Sequence, residues 1–139
     1  SNIVLADAQA TPVDHIFIPI GRDSEGVFWF EDQSAASSAG YWRISVKTRR
    51  PNFAPNTPTG VYRTTIGLHE PVLETLGTND AGFTPPPTVA YVSRAVVDFI
   101  DSPRSSLQNR RDMLKMFGLL MQETDNIQPV VRDHQELSY

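Results

Sequence analysis

Cysteine is absent from all 139 residues, which excludes a disulfide framework, thiolate metal ligands and a thiol nucleophile. No apolar run is long enough to span a bilayer, and the opening stretch from Ser1 to Asp7 lacks the basic and apolar segments of a signal peptide. A soluble protein with no membrane partner, working in a cytoplasm, is expected. Acidic residues are missing selectively. Between Gln33 and His69 there is no Asp or Glu, yet Arg43, Lys47, Arg49, Arg50 and Arg63 stand there, five of the twelve cations in a chain of net charge -4. A local positive surface is thus set into an acidic protein.

Catalytic signatures are equally scarce. There is no glycine-rich phosphate loop and no nucleophile elbow. His15, His69 and His134 stand apart along the chain, with no local metal-ligand spacing. Adjacent acids such as Glu31 and Asp32 would point to opposite faces of a strand, and Glu70 and Glu74 read as solvated. No enzyme activity, cofactor or metal is expected.

What is present is a two-residue period. From Tyr41 to Arg49 the chain alternates, so that Arg43, Ser45, Lys47 and Arg49 share one face of a strand while Trp42, Ile44, Val46 and Thr48 turn toward a core. The pattern returns with Arg63, Thr65, Gly67 and His69 on one face and Tyr62, Thr64, Ile66 and Leu68 on the other. If the two strands pair, they form a basic, hydroxyl-bearing sheet surface. Such a surface suits phosphate contacts from Arg and Lys and hydrogen bonds from Ser and Thr to sugars and base edges. It equally suits the solvated face of an antiparallel sheet.

The length allows one domain, residues 1–139, and 40% hydrophobic with 20% charged residues is ordinary for a globular chain. Short strands are expected at Ile3 to Ala6, at His15 to Ile20 where Ile16, Ile18 and Ile20 alternate, and at Val27 to Glu31. Pro19 points to an edge or a strand end. Thr88 to Ile100 is β-type, with both faces partly polar and the facing of Tyr91 open. A helix is expected to start at Asp101-Ser102-Pro103, with Ser or Asp as N-cap and Pro at its first position, and a break at Asn126 to Pro129 precedes a second short helix over Val130 to Leu137. Leu107, Leu114, Phe117 and Met121 form a helical stripe that Met113, Met116 and Leu120 widen. The order is a β-meander over residues 1–100 followed by helices over 101–139, an α+β domain. One helix covers a broad sheet poorly, so the stripe is either intrachain core or a surface for a partner subunit.

Several local matches occur in a telling order. They are Tyr41 followed by Ser45-Val46-Lys47, a strand ending at Glu70-Pro71, Met116 to Leu120, Asn126 to Pro129, and a terminal Ser138-Tyr139. In that order and spacing the chain resembles, over most of its length, the coat proteins of single-stranded RNA bacteriophages, the levivirus-type family. The resemblance implies an N-terminal β-hairpin and a five-stranded antiparallel sheet followed by two helices, interlocked with a second subunit so that the dimer has a continuous ten-stranded sheet. It implies an icosahedral shell, T=3, assembled in the bacterial host cytoplasm, with the sheet facing genomic RNA and one maturation protein per virion. An operator hairpin bound on that face would repress replicase translation and mark the genome for packaging.

By position the resemblance assigns RNA contact to Arg43, Ser45, Lys47, Arg49, Arg63 and Thr65, with Tyr91 the candidate stacking aromatic. Gly67 and His69 depart from the family's usual polar or charged residues. Leu107, Met113, Leu114, Phe117, Leu120 and Met121 fall to the dimer interface. Glu74, Asn79, Phe83, Pro85, Pro86 and Pro87 fall in the loop that meets neighbouring subunits in the shell. The alternative is a dimeric RNA-binding protein that uses the same basic platform without assembling.

Overall fold

The computed structural model describes residues 1–53, 60–75, 82 and 86–137. Two compact units are present, Ser1–Ile100 and Asp101–Tyr139. The first is a six-stranded antiparallel sheet in sequence order: β1 (Ile3–Ala6), β2 (Asp14–Arg22), β3 (Phe28–Asp32), β4 (Trp42–Arg49), β5 (Tyr62–Leu73) and β6 (Val89–Asp101). The N-terminal hairpin is β1–β2, and β2 is also the first of the five strands that run on to β6.

Alternation in β4 and β5 resolves as the sequence suggests. Ile44 lies opposite Leu68 and Val46 opposite Ile66, so the apolar sets share one face. Phe28 opposite Val46 and Phe30 opposite Ile44 extend that face into β3. Ile44 is 6% exposed and Phe17 is 1% exposed, and these two are the buried hydrophobics among the described residues.

In β2 the isoleucine alternation marks the wrong side for a core. Ile16 and Ile20 are half exposed, while Phe17 between them is buried. Pro19 is not on an edge strand, since β2 lies between β1 and β3. Pairing with β1 stops at Phe17, however, and the register against β3 slips between Pro19 and Gly21. A residue that cannot donate is tolerated there because the ladder is already interrupted.

The helical unit contains α1 (Leu107–Met121) and α2 (Ile127–Asp133). Helix α1 starts later than Pro103 suggests. Ser102 instead closes a turn, accepting from the Arg104 and Ser105 amides, and Ser106 is the N-cap, its Oγ accepting from Asn109 N at 3.1 Å. The break comes earlier than Asn126 to Pro129, since α1 ends at Met121. Helix α2 begins at Ile127 and ends at Asp133 rather than running over Val130 to Leu137, so Pro129 lies inside it. The proline occupies the first turn, where the amide it lacks has no intrahelical acceptor. Glu123 caps that turn, its Oε2 accepting from the Asn126 and Ile127 amides at 2.8 and 2.9 Å. No residue of either helix is buried, and Leu114 and Met116 are 64% and 68% exposed.

Candidate nucleic-acid interface

Backbone register builds the candidate face. Arg43 lies opposite His69, Ser45 opposite Gly67, Lys47 opposite Thr65 and Arg49 opposite Arg63, so both polar sets project from one side of the sheet. Lys47, Arg49, Arg63 and Thr65 together line a cleft of about 180 Å3. Three exposed cations around a hydroxyl can neutralise and orient a phosphate.

The side chains are not equivalent. Arg43 is tied to Glu31 of β3, Nε to Oε2 at 3.3 Å, and it also donates to the Ser38 carbonyl, so its charge is locally compensated. Thr65 donates its hydroxyl to Asp98. That bond fixes the facing of β6, which composition left open. Asp98 joins the basic side, strict alternation brings Arg94 with it, and Tyr91 falls on the opposite parity. Arg94 is close enough to help lower the pKa of His69. It is thus a cation of this face that the sequence did not reveal. Tyr91 is 60% exposed, on the other parity from Asp98.

His69 carries its own constraint. Its Nε2 lies 3.0 Å from Ser45 Oγ, and its ring tilts against Trp29 with centroids 5.5 Å apart. Burial, then Arg94 and Arg43, hold its pKa below the ordinary histidine value, so the ring is neutral near neutral pH. Trp29 itself stands opposite Ser45, on the basic side. Sequence reasoning missed it, because only the β3–β4 register assigns its face.

On the other side of the sheet His15 is far from isolated. Nδ1 contacts Asp32 Oδ2 at 2.6 Å, Nε2 contacts Asp7 Oδ2 at 3.2 Å, and the ring stacks on Trp42 at 4.8 Å. The Asp32 bond leads in raising its pKa. Burial pushes Asp32 up, but bonds from His15 and Ser34 outweigh it and hold the carboxylate low. The Val13 amide leads in lowering Asp7. The cluster pins the β1–β2 connection to β3 and is structural. Glu31 and Asp32 face opposite ways, as expected.

Of the shell-contact candidates, Glu74, Pro86 and Pro87 are exposed, and the Glu74 amide donates to Thr88 O at 2.9 Å, closing the base of the loop. Asn79, Phe83 and Pro85 lie outside the described residues. Leu107, Met113, Leu114, Leu120 and Met121 are exposed in the single chain and Phe117 is partly covered.

The levivirus coat protein family model matches residues 1–137. The chain belongs to the levivirus coat protein family. Its relatives include the capsid protein of Pseudomonas phage PRR1, 31% identical over 117 residues, which span 84% of this chain and 81% of that protein. Among solved structures, the virus-like particle of bacteriophage ESE058 is 42% identical with a TM-score of 0.89, over 99% of this chain and 98% of that one. The bacteriophage GA protein capsid, at 17% identity and a TM-score of 0.71 over 98% of this chain and 95% of that one, shares the fold. The six-stranded sheet followed by two helices is therefore the levivirus coat fold, and the chain is a capsid protein of this family.

Proposed function

We propose that two copies of this coat protein interlock through their helices, that the dimers close into a T=3 icosahedral shell in the bacterial cytoplasm, and that the basic sheet face holds genomic RNA inside it. The observation that carries the RNA reading is the β4–β5 register, which gathers Lys47, Arg49 and Arg63 around Thr65. Phosphates would be held by these cations and Arg94. An operator hairpin docked on the same surface would repress replicase translation and select the genome, and one maturation protein would complete the virion.

Dimerisation is supported by what a single chain leaves in water. Helix α1 exposes Leu107, Met113, Leu114, Leu120 and Met121, and covering each such side chain stabilises by about 1.5–3 kcal/mol. Strand β6 is an edge of the sheet. Joined along β6, two copies of the β2–β6 sheet would make ten strands and remove that edge. The loop from Glu74 to Pro87 would then meet neighbouring dimers. The structures of its relatives from bacteriophages ESE058 and NT-214 are virus-like particles, which fits assembly of this chain into a shell.

Negative-stain microscopy of the purified chain, with extraction of nuclease-protected nucleic acid, tests this reading. Uniform closed particles containing RNA are expected. Dimers that bind RNA but never close, across a range of salt and protein concentrations, would replace the coat-protein reading with that of a non-assembling RNA-binding protein.

A further inference from the structure

A second cleft, of about 440 Å3, lies on the same side of the sheet, with Asp23, Trp29, Glu31 and Arg43 among its walls. It is within the size range of small-ligand sites and larger than the phosphate cleft among the cations. We propose that this cleft is a nucleobase site, which takes one unpaired base of bound RNA, stacked on Trp29, with its exocyclic amino group donating to Glu31. The proposal rests on the RNA-binding reading of the face and adds a base-selective contact to it.

The Trp29 ring is fixed before any ligand arrives. Its indole N–H donates to Asp23 Oδ2 at 2.9 Å, while Asp23 Oδ1 accepts from the Glu25 and Val27 amides at 2.9 and 3.0 Å. An aromatic plane locked in this way gives a base a stacking partner without ordering cost. Glu31 would ordinarily repel RNA. Here Arg43, 3.3 Å from one of its oxygens, offsets the charge and leaves a carboxylate that can accept from a base edge. Lys47 is near enough to help lower the pKa of Asp23, so this wall of the cleft adjoins the cationic strip. A strand whose phosphates follow Lys47 and Arg63 can therefore turn a base toward Trp29. Adenine, cytosine and guanine carry an exocyclic amino donor, whereas uracil offers only its ring N3–H, flanked by two carbonyl oxygens that a carboxylate repels, so Glu31 discriminates against uracil.

The test uses the full chain with a short oligouridine and the same oligomer carrying one central cytidine. Wild-type protein is expected to prefer the cytidine-bearing oligomer several-fold. Trp29→Leu should abolish the preference and weaken binding about tenfold, in line with the loss of one base stack. Ultraviolet crosslinking of wild-type protein followed by mass spectrometry needs no variant, and should place a crosslinked nucleotide on Trp29 and none on Trp42, which stacks on His15 on the other face. Equal binding of the two oligomers with no crosslink at Trp29, while Lys47→Glu still weakens binding, would overturn the base site and spare the RNA reading. If Lys47→Glu changes nothing, the RNA reading falls and the base site falls with it.

Discussion

His69 reaches across Gly67 to bond Ser45, Nε2 to Oγ at 3.0 Å, and a Cβ built on Gly67 would stand 2.8 Å from that nitrogen and 2.7 Å from that oxygen. The two departures from the usual family residues are thus one feature. The ring occupies the space that a longer side chain at position 67 would need.

Gly67→Ala is accordingly expected to separate His69 from Ser45 while leaving the strand intact. The loss of that bond should cost about 1 kcal/mol in chemical unfolding. With less burial, the imidazole pKa should rise toward 6.5, which NMR titration of the ring would follow. An unchanged titration would show that the ring position does not depend on the glycine.

The cations of the face should act through salt. Lys47→Ala is expected to weaken binding to single-stranded RNA of every sequence about equally, and to reduce the slope of log affinity against log salt by about 0.7. Arg43→Ala should reduce it less, since Glu31 already compensates that charge. Filter binding across a salt series measures both.

The His15 cluster sets a pH window for the N-terminal hairpin. Raised by Asp32 first, the His15 contribution is complete below its ordinary 6.5 and is lost as pH rises through the raised value. The lowered Asp7 and Asp32 contribute fully above 3.8 and lose it as pH falls through their lowered values. Stability should therefore be highest between these limits. Denaturation curves should show wild type losing stability as pH rises above 6.5 through the raised His15 value, and His15→Gln should flatten that decline.

Association should depend on the helix stripe. Leu114→Asp and Met116→Asp alter side chains that are exposed in the single chain, so they should leave sheet and helix signals in circular dichroism unchanged. Sedimentation velocity should show them lost from the dimer and from any larger particle. A normal dimer in both variants would place the interface elsewhere.

The legible parts of this chain were those where one period dominates. Arg43 to Arg49 and Arg63 to His69 declare their faces because polar and apolar residues alternate without interruption, and the β4–β5 register then places them together. The same reasoning failed at Ile16 and Ile20, because a bulge and the end of β1 leave the isoleucines outside the core and Phe17 within it. It was silent at Val89 to Asp101, where a bond from Thr65 to Asp98, thirty-three residues away in sequence, decides the facing. Trp29 and the Asp7, His15 and Asp32 cluster were hidden for a similar reason. Their partners lie on other strands, and strand register rather than local spacing brings them together. The cap falls at Ser106 rather than at Asp101 or Ser102, because the Ser106 hydroxyl is the one that accepts from a free first-turn amide, that of Asn109.

The central claim concerns which way the basic face points. Cryo-electron microscopy of particles assembled from the wild-type chain would locate it directly. Lys47, Arg49 and Arg63 should line the inner wall of a closed shell, with RNA density against them. A shell that turns these residues outward, or one whose RNA density avoids them, would contradict the account.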